Sequence, residues 1–303
     1  MPQERANQPE LANVNGAIAP IDRAVISVTD HGFLYGESVY ETIRTYGRRA
    51  FLVRRHLERL ERSAASIMLP LPWTRQHIAG EVHRTLAVAG EGPGEYAIRI
   101  VATRGNGPFG YDPALCPEPN LVILVRRLSE PASDPRATGV TAAIASVRRN
   151  PIESLDPRIK SSNLLNNILA AHDARRAGAD EAVLFNTAGF LSEGTQSNIF
   201  FVARGTLHTP SLDCGLLSGV TRDLVLDLAA AMGIPREEGR YRREELEAAD
   251  EAFFTSTTRE LLPICRLDGR PIGGGRPGPV TLRLHDGYRA LVERFLASGE
   301  DGI

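Results

Sequence analysis

Of the 35 lysines and arginines in this 303-residue chain, one is a lysine, Lys160, and the other 34 are arginines. The two cations differ most in amine chemistry. A guanidinium stays protonated, whereas a lysine amine can lose its proton when its surroundings lower its pKa. A lysine kept against such a bias is a candidate Schiff-base former. Its setting, RIKSSNLLNNIL, lies between a strand region and an expected helix start, where the positive end of the helix disfavours a nearby cation. Glu193, in FLSEGTQSNIFF, sits at the start of an otherwise apolar strand. A carboxylate there needs a cationic or hydrogen-bonding partner, and a protonated pyridine nitrogen is one such partner. LLSGVTRD sets Gly219, Val220 and Thr221 at the opening of a helix, where N–H groups and a hydroxyl make a phosphate cradle. The run TSTT, residues 255–258, ends a strand in four hydroxyls that can wrap a phosphate or a carboxylate. Arg59, in RHLERLERSA, reads by itself as a cation on a solvated helix face beside Glu58 and Glu61.

The elements that must position these groups follow from hydrophobic period and punctuation. Strands are predicted at residues 24–26 and 39–46, the latter alternating as VYETIRTY. Leu57, Leu60, Ala64 and Ile67 recur at helical spacing over 55–67, and a second helix is expected over 74–89, stopping at Gly90. EYAIRIVATRG and NLVILVRRL read as two strands around a Gly/Pro-rich loop at 105–119. Further on, GVTAAIASVRR reads as a strand. A helix follows with Ser161 or Ser162 as N-cap and Gly178 as its stop. EAVLFN and SNIFFVARGTLHTP read as strands, then come a helix over 220–232, a strand at EAFFTS and a last helix over 281–297. Strands and helices interposed in two halves predict an α+β protein of two domains. The expected division is a flexible N-terminus at 1–15, a small α+β domain at 16–128, a linker at 129–138 and a large α+β domain at 139–303.

Composition excludes several classes. A 42% hydrophobic and 24% charged chain with net charge −2 gives nucleic acid or an anionic membrane no electrostatic hold. Three cysteines with no CxxC spacing argue against a disulfide framework or a zinc knuckle and fit a reducing cytoplasm. No signal peptide is expected in the polar first 15 residues, and no apolar run nears the ~18 residues of a membrane span. Residues 105–110, GNGPFG, match GxGxxG after a strand. Tyr111, Asp112 and Pro113 follow in place of the helix that a dinucleotide site needs, so that reading fails. HExxH and GxSxG are absent, and no metal site is expected.

Together, HGFLYGESVYETIR, RHLERLERSA, IKSSNLLNNILAA, EAVLFN with SEGTQSNIFFV, LLSGVTRD and FFTSTTRELLPI resemble the fold type IV pyridoxal-phosphate aminotransferases. That group includes branched-chain and D-amino-acid aminotransferases and aminodeoxychorismate lyase. The resemblance implies a homodimer of two-domain subunits with the active site in the interdomain cleft. It implies that Lys160 holds pyridoxal 5'-phosphate as a Schiff base and shuttles a proton, and that Glu193 pairs with the pyridine nitrogen. It gives Arg59, Gly219, Val220, Thr221 and Thr257 to the phosphate and Tyr40 to the substrate side. By the period of two, Thr42 and Arg44 then share the face of Tyr40, which makes Arg44 a candidate for a substrate carboxylate, with Thr258 beside it and Arg99 as a second candidate. Two departures bear on substrate. Phe109 and Tyr111 stand where D-amino-acid enzymes of the best-known type carry Arg and His, and Leu164 replaces a tyrosine usual in branched-chain enzymes. The apolar residues Phe33, Phe109 and Tyr111 favour a hydrophobic amino donor. The expectation is a transaminase moving an amino group between a branched-chain-type amino acid and a 2-oxo acid such as 2-oxoglutarate. A D-amino-acid or (R)-amine transaminase is the alternative, and aminodeoxychorismate lyase comes third. A cofactor-free Schiff-base aldolase predicts an eightfold βα pattern that this chain lacks.

Overall fold

A computed structural model of the chain describes residues 10–90, 94–129 and 134–298. Residue contacts divide it into two units, 1–129 with 159–163 and 295–303, and 130–158 with 164–294.

The first unit is a six-stranded sheet whose neighbours are antiparallel: Ala17–Pro20, Leu11–Val14, Asn120–Arg127, Tyr96–Thr103, Ser38–Tyr46, Arg49–Ala50. Alternation along Ser38–Tyr46 works as the sequence requires. Val39, Glu41, Ile43 and Thr45 are buried, whereas Tyr40, Thr42 and Arg44 are half-buried on the opposite face. On the buried face Val39 and Ile43 join Ile98, Ile100, Ile123 and Val125 in one core with Leu57 and Leu60 of the helix Val53–Ser66 and Ile78 and Val82 of the helix Arg75–Val88. Thr74 caps the second helix through the His77 N–H. On the other face Arg99 lies directly across from Thr42 in the Ser38–Tyr46 and Tyr96–Thr103 pair.

The second unit is built on a mixed nine-stranded sheet. Its order is Arg236–Gly239, Thr206–Pro210, Asn198–Ala203, Glu251–Ser256, Glu260–Leu267, Val140–Ile144, Glu181–Phe185, Leu191–Gly194, with Arg270–Pro271 beside Glu260–Leu267. Phe201, Phe254, Val183 and Ile264 fill its core. The helices Leu165–Arg176 and Val220–Ala231 pack on it, and a final helix runs over Pro279–Ser298.

Several expectations are corrected. Leu11–Val14, inside the segment expected to be flexible, is a strand with Leu11 and Ala12 buried; residues 1–9 lie outside the described residues. Residues 24–26 form no strand, and Val25 is 80% exposed: three apolar residues without a pairing partner stay out of the sheet. Of the expected linker, 130–133 lie outside the described residues and Pro135–Thr138 forms a short helix. The helix after Lys160 begins at Leu165, with Leu164 as N-cap and no side-chain cap. The reason lies upstream. Ser161 bridges Val39, the Tyr40 N–H donates to the Lys160 carbonyl at 2.9 Å, and the Ser162 N–H donates to the Ser38 carbonyl at 3.0 Å. Residues 159–163 are thereby held along a strand of the first unit, which is why they cluster with it rather than with the large domain.

Candidate active site

In the first unit the main chain fixes Lys160 on both sides. Its carbonyl accepts from Tyr40 and its N–H donates to Ser63 Oγ at 3.1 Å. The Nζ lies 4.7 Å from the centroid of the Tyr40 ring, and the Arg99 guanidinium lies 4.4 Å from the same ring. One aromatic ring thus gathers an amine and a guanidinium on the open face of the sheet. Arg44 shares that face but stacks on Tyr46 at 4.1 Å. Of the two carboxylate candidates, Arg99 is therefore the one grouped with Lys160. Phe109 and Tyr111 stand 84% and 89% exposed on their loop, and Phe33 is exposed as well.

Arg59 corrects the solvated-face reading. It is buried, and Glu41, fully buried on the sheet, takes Arg59 Nε at 2.6 Å and Nη2 at 2.7 Å in a two-pronged pair. Glu58 and Glu61 pair instead with Arg75. His56 completes a buried triad, its Nδ1 2.8 Å from Glu41 Oε2. Burial pushes the Glu41 carboxyl up, but the charge and hydrogen bond of Arg59, joined by His56, outweigh it and hold the group far below the usual carboxylate range. Burial holds His56 below its ordinary value. The bond to Glu41 opposes that, and the charges of Arg59 and Lys160 add to it. Within the triad the Glu41 carboxylate offsets the Arg59 charge and fixes the plane of its guanidinium.

In the second unit Glu193 lies on Leu191–Gly194 and is buried. Arg149 Nε donates to Oε1 at 2.8 Å and the Leu217 N–H to Oε2 at 3.0 Å, while Arg149 Nη1 reaches Asn166 Oδ1 at 3.0 Å. Gly219 is the N-cap of Val220–Ala231 and offers no side chain, so the helix opens on N–H groups without an intrahelical partner. A Cβ at Gly219 would come within 1.9 Å of Asn198 Oδ1, so only glycine leaves that approach open. Asn198 pairs across the sheet with Thr255, whose buried hydroxyl, like that of Ser256, has no hydrogen-bond partner. Thr257 and Thr258, half-buried, follow directly.

These groups fit a pyridine ring carrying a phosphate. A helix N-terminus shaped by glycine, with unsatisfied hydroxyls beside it, matches phosphate oxygens. A buried carboxylate held by an arginine matches a ring-nitrogen proton. Sequence reasoning missed Glu41, His56, Arg149, Asn198 and Glu181. Glu41 alone left a signal, an acid in the buried phase of VYETIRTY.

The family model for amino-transferase class IV matches residues 38–267. A Methanocaldococcus jannaschii protein, provisionally named a branched-chain-amino-acid aminotransferase, is 38% identical over 93% of this chain and 96% of its own. A D-alanine aminotransferase of Staphylococcus haemolyticus is 32% identical over 92% of this chain and 97% of its own. The solved branched-chain amino acid aminotransferase of Thermobaculum terrenum, in its pyridoxal-phosphate form, superposes with a TM-score of 0.82 at 32% identity over 94% of each chain. The chain belongs to the class IV aminotransferases. It is a transaminase that uses pyridoxal 5'-phosphate and acts on amino acids and 2-oxo acids, and its two α+β units are those expected of fold type IV. No described helix is long and apolar enough to cross a membrane.

Proposed function

We propose that the enzyme moves the amino group of a hydrophobic, branched-chain-type L-amino acid to a 2-oxo acid such as 2-oxoglutarate, in the cytoplasm. The observation that carries the site is the grouping of Lys160, Tyr40 and Arg99 on one sheet face. Two relatives bear the branched-chain name. A D-amino-acid preference is the second reading, favoured by the D-alanine relative.

When bound, the cofactor supplies an electron sink for the bond broken at the substrate Cα. Lys160 would hold it covalently and, once displaced, carry a proton between Cα and C4′ as the general base and acid. Glu193, held in place by Arg149, would accept the hydrogen bond of the ring-nitrogen proton. Arg59, Thr257, and the N–H groups of Val220 and Thr221 beyond Gly219 would hold the phosphate. Arg99 would orient the substrate carboxylate over Tyr40, with Thr258 as a hydroxyl donor. Leu164 would give no phenol to the ring, which would leave its orientation to the phosphate and nitrogen contacts.

Steady-state assay with 2-oxoglutarate and L-Leu, L-Ile, D-Ala or a chiral amine separates the readings. Turnover of L-Leu and L-Ile is expected; turnover of D-Ala with none of L-Leu or L-Ile rejects the preference. A homodimer is the proposed assembly. Leu165, Ile168 and Leu169 form an exposed apolar stripe at helical spacing, and a monomer at working concentration in sedimentation would reject it.

A further inference from the structure

Glu181 opens the strand Glu181–Phe185, otherwise apolar, and is buried to 3% exposure. Its carboxylate reaches two turns distant in sequence. Oε1 accepts the Thr195 N–H at 2.9 Å and also the Thr195 hydroxyl; Oε2 pairs with Arg259 Nη2. Thr195 stands two residues beyond Glu193, and its carbonyl is held by Asn167 Nδ2 at 2.8 Å. Arg259 directly follows Thr257 and Thr258. The next residue, Glu260, adopts a left-handed backbone with φ 57° and is itself tied, to His285 Nε2 at 2.8 Å and Arg289 Nη1 at 2.9 Å. Ion pairs to fixed partners therefore follow the Thr257–Thr258 pair on two successive residues.

We propose that Glu181 and Arg259 are positioning residues for the transamination, one buried carboxylate setting the spacing between the turn after Glu193 and the turn that carries Thr257 and Thr258. The argument rests on the reading that Glu193, Thr257 and Thr258 serve the cofactor and substrate. A carboxylate with one oxygen on each turn converts two independent loops into one rigid body, so anionic groups meet donors already in place. The Arg259 side chain is 35% exposed, so its removal leaves Glu181 still bonded to Thr195 and opens no core cavity.

The test compares Arg259→Met, Arg259→Lys and Thr258→Val in the full-length holoenzyme. Arg259→Met is expected to raise KM for amino donor and 2-oxo acid about tenfold, on the 1.4 kcal/mol scale of one lost positioning contact, with kcat changed less than threefold. Its apoprotein should melt lower than the parent, because the buried Glu181 carboxylate keeps only Thr195, and Arg259→Lys should recover most of the KM. Unchanged KM in Arg259→Met overturns the proposal, as does a KM loss that Arg259→Lys leaves uncorrected. Thr258→Val reports on the underlying reading. If it too leaves KM untouched, the turn is no part of the site and that reading falls; if it raises KM while Arg259→Met does not, the positioning role alone falls.

Discussion

Arg149→Met gives the most quantitative test of the second unit. Arg149 and Glu193 side chains are 9% and 5% exposed and meet at 2.8 Å, so the substitution strands a buried carboxylate. Breaking a buried pair by removing one partner costs about 3–5 kcal/mol. The Leu217 N–H still serves Oε2 at 3.0 Å, which places the expected loss at the lower end, about 3 kcal/mol. On the scale of roughly 2–4 °C per kcal/mol for chains of this size, the apoprotein should melt about 6–12 °C lower. Removing the charge as well relieves the penalty. The Arg149→Met/Glu193→Gln double variant should be more stable than the sum of the singles by about 2 kcal/mol, within the range of coupled neighbours. Urea unfolding followed by far-UV circular dichroism measures all three variants. A loss under 1 kcal/mol for Arg149→Met, or strict additivity in the double variant, would show that Arg149 does not hold the Glu193 carboxylate in place.

Gly219→Ala places a methyl 1.9 Å from Asn198 Oδ1 and should weaken retention of the cofactor at least tenfold, read by the dilution at which its absorbance is lost; unchanged retention would remove that helix end from the phosphate site. Acidification should destabilise the first unit in a definite window. The folded pKa of His56 lies below its unfolded 6.5, so the unfolded chain takes up that proton first and stability falls as pH drops below about 6.5. Glu41, depressed from 4.5, adds a further loss below that pH. His56→Gln should flatten the dependence of the urea midpoint between pH 7 and 5, and a slope equal to the parent's would contradict the burial argument.

Local pattern made much of the scaffold legible. Alternation in VYETIRTY placed Tyr40, Thr42 and Arg44 on one face, because burying one side of a sheet fixes the period. Gly90 and Gly178, with positive φ, follow the ends of the helices they were expected to stop. What local pattern hides is pairing at long range. Glu41 meets Arg59 18 residues away, Arg149 meets Glu193 44 away, and Glu181 meets Arg259 78 away. In sequence Arg59 looks like a solvated charge, and nothing local names the partner of Glu41, Glu193 or Glu181. Ser162 reads as a helix cap, yet its hydroxyl accepts from the Ser38 hydroxyl at 2.6 Å, on a strand 124 residues distant. One local signal was overlooked. Asn15 and Gly16, with φ of 51° and 91°, turn the N-terminal hairpin, and Asn-Gly is a strong hairpin signature even in a polar segment.

The central claim is that the one lysine of this chain carries the cofactor. Borohydride reduction of the pyridoxal-phosphate-loaded protein, followed by peptide mass mapping, tests it directly. The expected result is a stoichiometric phosphopyridoxyl mass on the peptide holding Lys160, with the visible band lost in Lys160→Arg. An unmodified Lys160 peptide from a coloured, active preparation, or full turnover by Lys160→Arg, would contradict it.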